Sequence, residues 1–339
     1  MHRAPTSAAK RCNAAFERRL ARPASRAGPI AVTCSPLRKE TPEMTTTSSP
    51  DQPPLCPPPP AAQRGPSSFT MPAGAVDTHA HVIGSPPRYP WMADRSYTPS
   101  PVTPEQYLRM LDDVGTQYGV LVQVSVHGQD NRLMLDTLRA HRDRLRGVVV
   151  PSLGLADAEY QAMKDAGAVG LRINVLFGGG GIDFSQLAEY DALARDWGWH
   201  LQFLLDAREL PTLAPQFARL RSTIVVDHMG HLPTTAGAQS PGFQRLVELV
   251  RDGAWVKLSG AYRLSDAEPP YADTVDYAQT LIDAAPERCV WGSDWPHVAL
   301  WRTMPTVGQL LDTLALWAPD PTVRDAILTT NAQQLYGFR

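Results

Sequence analysis

From about residue 75 onward, short apolar runs alternate with longer stretches in which apolar residues recur at helical spacing. The short runs cover residues 75–78, 119–125, 147–151, 170–175, 200–205, 223–227, 255–258 and 289–292, and are rich in Val, Ile and Leu. Brief and almost continuously hydrophobic, they read as parallel strands covered by helices. The clearest helix start is Thr103-Pro104-Glu105-Gln106, which offers an N-cap, a proline at the first helical position and a capping-box glutamine. Tyr107, Leu108 and Leu111 then share one face, and Gly115 is placed to end the helix. Further helices are expected over 131–141, 156–166, 185–197, 210–220, 243–252, 275–285 and 307–317.

Eight strand–helix repeats over about 250 residues have the size and rhythm of a (β/α)₈ TIM barrel within the α/β class. An open doubly wound sheet shares the local pattern. The barrel is preferred because each strand with polar chemistry carries it at or just past its C-terminal end, where barrels build active sites. Residues 1–72 differ in kind: Pro, Ser, Thr, Ala and Arg dominate, no hydrophobic period is visible, and Pro57-Pro58-Pro59-Pro60 comes near the end. Such a stretch buries too little apolar surface to offset its ordering entropy. It reads as a disordered tail or as sequence upstream of the true start, with Met44 and Met71 as alternative starts. The barrel is assigned to residues 73–339.

The chain has 339 residues, 43% of them hydrophobic, enough for a sizeable core, and a formal net charge of −2. That balance leaves no electrostatic footprint for nucleic acid, and no apolar run reaches the roughly 18–20 residues that cross a bilayer. Cys12, Cys34, Cys56 and Cys289 show no zinc-knuckle or redox spacing, which fits a reducing, cytoplasmic setting. Nothing in the chain signals an oligomeric state.

After the first strand, Asp77-Thr78-His79-Ala80-His81 places two imidazoles on one face of an extended segment, where they can hold a metal or polarise an oxygen. The sixth strand ends in Val225-Val226-Asp227-His228-Met229-Gly230 and the eighth in Gly292-Ser293-Asp294-Trp295-Pro296-His297. Closing the barrel makes the first and eighth strands neighbours, so Asp294 is expected beside the histidine pair.

These runs, with Lys257-Leu258-Ser259-Gly260, resemble the amidohydrolase superfamily. They are most similar to the branch of 2-pyrone-4,6-dicarboxylate lactonase and related sugar-acid lactonases. The likeness spans the body from about residue 75 to 338. It implies an amidohydrolase-like barrel that opens a carboxylated lactone in aromatic or sugar-acid catabolism. It further implies Asp294 as general base, and His79, His81 and His228 as hydrogen-bond donors to the lactone carbonyl. Tyr97, Ser125, His127, Arg172 and Arg263 match substrate-contacting positions, the arginines gripping carboxylate. The binuclear members' fourth-strand bridging residue is replaced by Arg172, and His200 lies at the wrong end of the fifth strand. No obligate metal is therefore expected, with one Zn²⁺ or Mn²⁺ ion on His79, His81 and Asp294 as the alternative. A second arginine of the lactonase is replaced by Gly178, which opens Gly178-Gly179-Gly180-Gly181 and puts the dicarboxylate itself in question. The partner is thus a small anionic lactone or ring carboxylate. A metal-dependent decarboxylase, a lactone isomerase and a non-catalytic carboxylate-binding barrel remain as alternatives.

Overall fold

The computed structural model describes residues 52–177 and 184–339; the glycine run 178–181 lies outside them. Eight parallel strands pair in chain order, β1 (Val76–Ala80), β2 (Tyr118–Val122), β3 (Leu145–Val149), β4 (Ala168–Asn174), β5 (His200–Leu204), β6 (Ile224–Val226), β7 (Trp255–Leu258) and β8 (Cys289–Trp291). Beyond β8 the chain meets β1 again: Asp294 N–H donates to His79 O (2.8 Å) and His81 N–H to Trp295 O (2.9 Å). The result is the (β/α)₈ barrel expected from the alternating pattern.

The helices between the strands are α1 (Pro104–Val114), α2 (Arg132–Ala140), α3 (Asp157–Ala166), α4 (Leu187–Trp197), α5 (Leu210–Phe217), α6 (Pro241–Arg251), α7 (Ala261–Leu264) and α8 (Val275–Ala284). After β8 come α9 (Val307–Trp317), α10 (Pro321–Leu328) and α11 (Thr330–Tyr336). Helix α1 starts as its sequence dictates: Thr103 accepts from Gln106 N–H, the Gln106 side chain returns to the Thr103 N–H, and Gly115 closes the last turn in the left-handed region. Tyr107, Met110, Leu111 and Val114 form its buried face.

Alternate strand residues face opposite ways, so one set packs against the helices and the other fills the barrel. Val76, Val120, Val148, Val225 and Val290 cluster with Tyr336 and Phe338, which close the barrel's N-terminal end. His200, first residue of β5, lies at that end with its ring 5.5 Å from that of Tyr336, as its sequence position implied.

The expected tail boundary at residue 72 is not where contact with the barrel begins. Thr98 N–H donates to Pro54 O, Val307 N–H to the Gln63 side chain, and both Ser67 and Ser68 bond to Asp312. The proline-rich stretch needs no period of its own because its hydrogen-bond partners come from barrel loops and α9.

Candidate active site

The ends of β1, β6, β7 and β8 converge on one buried cluster. His79 Nε2 and His81 Nε2 stand 3.8 and 3.7 Å from Asp294 Oδ1, and His228 Nε2 stands 3.8 Å from Asp294 Oδ2. The His79 and His228 rings are 4.6 Å apart. All four side chains are at most 3% exposed. The residues singled out for catalysis therefore meet.

The far side of each ring decides what its near side can do, because a neutral imidazole carries one proton. His81 Nδ1 donates to the Val122 carbonyl (2.7 Å), leaving Nε2 a bare lone pair. His79 Nδ1 lies 3.3 Å from Asp227 Oδ1 and 3.4 Å from Lys257 Nζ; with its proton on Nδ1, toward the carboxylate, Nε2 is bare, and with Nδ1 accepting from Lys257 the proton sits on Nε2. His228 Nδ1 meets the Ser259 hydroxyl (2.8 Å), which can donate, so His228 can carry its proton on Nε2. Of the three imidazoles expected to donate to a carbonyl, His228 has the suitable partner, whereas His81 in its neutral form is an acceptor.

Electrostatics agree with neutral rings. Burial lowers His79 to about 3 over the opposing pull of Asp227 and Asp294, and it also lowers His81 and His228. Burial alone would raise Asp294, but the Arg263 guanidinium bonded to it outweighs burial and holds the carboxyl well below the usual carboxylate range. Arg263 Nε donates to Asp294 Oδ2 (2.5 Å), and so does the Tyr262 hydroxyl (2.7 Å). Tyr262 also meets His297 Nδ1 at 3.2 Å.

Among the described residues, two sets of side chains can hold a metal ion by position: His79, His81 and Asp294, or His79, Asp227 and His228. The first set passes a chemical test. His79 Nε2 and Asp294 Oδ1 are buried without a hydrogen-bond partner, and when His79 carries its proton on Nδ1 they make, with His81 Nε2, three acceptors facing one point. Such orphaned atoms suit a cation, and the outer contacts, His81 Nδ1 to the Val122 carbonyl and His79 Nδ1 facing Asp227, are of the kind that orient metal-binding histidines. In the second set a cation is already present. Lys257 Nζ stands 3.5 Å from Asp227 Oδ1 while donating to Thr78 O (2.8 Å).

The expected substrate contacts divide. Arg263, bonded to Asp294, lines a cleft of about 400 Å³ with Phe177, His231, Tyr262, Trp301, Arg302 and Asp266, the last within 3.7 Å of Arg302. Arg172 is buried; Nη1 donates to Gln123 O (3.0 Å) and Nε is 3.8 Å from Asp227 Oδ2. The Tyr97 hydroxyl pairs with Ser125 Oγ at 3.2 Å, and Tyr97 lies within electrostatic reach of both arginines. His127 is engaged elsewhere: Gly84 N–H donates to its Nε2 (3.1 Å) and its Nδ1 donates to Pro90 O (3.1 Å), so it braces the loop after β1.

Asp227, Lys257, Ser259, Tyr262 and His297 complete the cluster without having been singled out. Lys257 carried a signal, a lysine inside a four-residue apolar strand, which a barrel interior admits only with a partner. Asp227 immediately precedes His228.

Comparison with known proteins agrees with this geometry. The model of the Amidohydrolase family matches residues 76–338. A 4-sulfomuconolactone hydrolase from Rhizobium radiobacter is 36% identical over 283 residues, 81% of this chain and 94% of that protein. A 2-pyrone-4,6-dicarboxylate hydrolase from Comamonas testosteroni is 35% identical over 281 residues, 79% of this chain and 92% of that one. Among solved structures, an Acinetobacter baumannii protein named as a 2-pyrone-4,6-dicarboxylic acid hydrolase, with citric acid bound, superposes with a TM-score of 0.69. It is 26% identical, the match covering 78% of this chain and 100% of that one. Barrel, strand-end cluster and matched span together make this chain a member of the Amidohydrolase family.

Proposed function

We propose that the protein hydrolyses a lactone bearing an anionic group, carboxylate or sulfonate, at the mouth of the barrel. The observation that carries this reading is the buried His79–His81–Asp294 acceptor cluster beside a cleft that Arg263 lines. The names of the Rhizobium and Comamonas relatives support it. The buried free thiols Cys56 and Cys289 suit a cytoplasmic setting.

Arg263, with Arg172 and Tyr97 behind it, orients the substrate by its anionic group. Asp294 is ionised, and its Oδ2 is committed to Arg263 and Tyr262, so Oδ1 accepts the proton of the attacking water. As the water oxygen bonds to the lactone carbon, His228 Nε2–H donates to the carbonyl oxygen that gains charge. The ring C–O bond then breaks, and the proton held at Asp294 passes to the leaving ring oxygen. A single divalent ion, Zn²⁺ or Mn²⁺, fits His79, His81 and Asp294; the chemistry it supplies when bound is Lewis-acid polarisation and acidification of water.

The test compares wild type with Asp294→Asn on 2-pyrone-4,6-dicarboxylate and 4-sulfomuconolactone, before and after chelation, with citrate as a competing anion. Loss of a positioned base is expected to lower kcat by on the order of 10²–10⁴-fold. Turnover that survives chelation would fit a site with no obligate metal, whereas turnover lost on chelation and restored by one equivalent of Zn²⁺ or Mn²⁺ would place the ion on His79, His81 and Asp294. An Asp294→Asn variant turning over as fast as wild type would remove Asp294 from the mechanism.

A further inference from the structure

We propose that Cys56, contributed by the segment that precedes the barrel, is a positioning residue for Arg263. The two side chains hold opposite ends of one peptide unit in the loop after β8. Ala299 N–H donates to Cys56 Sγ (3.3 Å), and Arg263 Nη2 donates to the Val298 carbonyl (3.2 Å). That N–H and that carbonyl belong to the same peptide plane, so fixing one end orients the other.

The plane needs such support. Ala299 has φ 57, in the left-handed region that residues other than glycine rarely adopt. Cys56 is able to supply it because it is itself anchored. It is 2% exposed, its N–H donates to Thr98 O (2.8 Å), and its carbonyl accepts from Ser100 Oγ (2.8 Å). Next to it, the Leu55 carbonyl accepts from Trp301 Nε1 (2.9 Å). Residues 54–56 thus clip the loop after β1, which carries Tyr97, to the loop after β8, which carries Ala299 and Trp301. The loop after β8 lines the anion cleft, and Tyr97 of the loop after β1 meets it through Phe177, whose ring is 6.3 Å away.

The consequence for Arg263 follows from its donor count. A guanidinium has five N–H groups in a rigid plane. Nε is committed to Asp294 Oδ2 and Nη2 to Val298 O. Two bonds of different direction fix that plane, and the N–H groups left over serve the anion in the cleft. Release of the peptide by Cys56 leaves the Asp294 bond intact but frees the plane to turn about it. The loss therefore falls on substrate capture more than on the chemical step. This inference rests on the reading of Arg263 as the anion grip.

The experiment uses full-length protein carrying Cys56→Val, which cannot accept the Ala299 N–H, and Cys56→Ser, which can. Arg263→Gln serves as the control for the underlying reading. Each is assayed for kcat and KM on whichever of the two lactones wild type opens, and for citrate affinity by calorimetry. Cys56→Val is expected to raise KM and the citrate Kd about tenfold with kcat within about threefold, and Cys56→Ser to restore both to near wild type. Wild-type KM and citrate affinity in Cys56→Val, with both weakened in Arg263→Gln, would sink the proposal and leave the function standing. Unchanged values in Arg263→Gln would sink the anion grip and the proposal with it. Equal losses in the valine and serine variants would mean that Cys56 acts by packing, against the proposal. Thermal unfolding establishes that each variant folds; Cys56→Ala replaces valine if that variant does not.

Discussion

Asp294, His228 and His297 take positive φ values of 58, 50 and 63, and Met229 joins them at 48. Non-glycine residues in this region carry strain, and here they gather where the chemistry is. Their counterpart is Gly292, which lets β8 approach β1 at His79. A Cβ on Gly292 would stand 2.7 Å from His79 Cβ and 2.8 Å from its backbone nitrogen, closer than any carbon tolerates. Because the obstruction is mostly backbone, it yields only by moving the His79 strand. Gly292→Ala is therefore expected to lower kcat/KM at least about tenfold and stability by ~1–3 kcal/mol, read by steady-state kinetics and urea unfolding. Unchanged kinetics would show that the site does not depend on this close approach. At this scale the sequence revealed the residues that close a strand run, His79, His81, His228 and Asp294. It concealed Tyr262 and His297, whose importance comes from bonds to Asp294 across the barrel mouth rather than from local pattern. His127 shows the converse: a histidine after a strand reads as a ligand contact until its two nitrogens are found bonded to Gly84 and Pro90.

All eight expected strands are present, with ends shifted by up to three residues, because a continuous apolar run bounded by turns has few alternatives inside a barrel. Helix α1 was legible at both ends since its caps are written in Thr103, Gln106 and Gly115. Helix α5 stops at Phe217, short of the expected residue 220, and has Pro215 inside it, which weakens the turn it belongs to. Helices α10 and α11 were not anticipated, although Asp320 before Pro321 caps α10 through a bond from Thr322 N–H. The segment from residue 52 to 72 was least legible. Its backbone partners lie about 40 to 250 positions away, at Thr98, Ala299 and Val307, and no local periodicity encodes a strap of that kind.

For the whole molecule, buried neutral histidines set the response to acid. Burial holds His200 at about 3, and His231 and His297 at about 4. An unfolded histidine titrates near ~6.5, so between that pH and the folded values the unfolded chain binds more protons. Their stabilisation is present above the unfolded pKa and is lost as pH falls, by about 1.4 kcal/mol per pH unit for each histidine at full slope. Asp77 works the other way, since burial raises it to about 6 and the folded state then gains protons between pH 6 and its unfolded value of 3.8. Three groups outweigh one. Urea unfolding is expected to give a free energy at pH 5 at least about 2 kcal/mol below that at pH 7.5. A flat or rising profile would mean that these rings are not held neutral.

The barrel, the strand-end cluster and the arginine-lined cleft meet in one claim, that water adds to a lactone carbonyl beside Asp294. Turnover in ¹⁸O-labelled water with mass analysis of the product tests it most directly. The account predicts a ring-opened acid carrying one ¹⁸O atom in its new carboxylate for each turnover. A rearranged lactone without label, or release of CO₂ from a ring carboxylate, would contradict it.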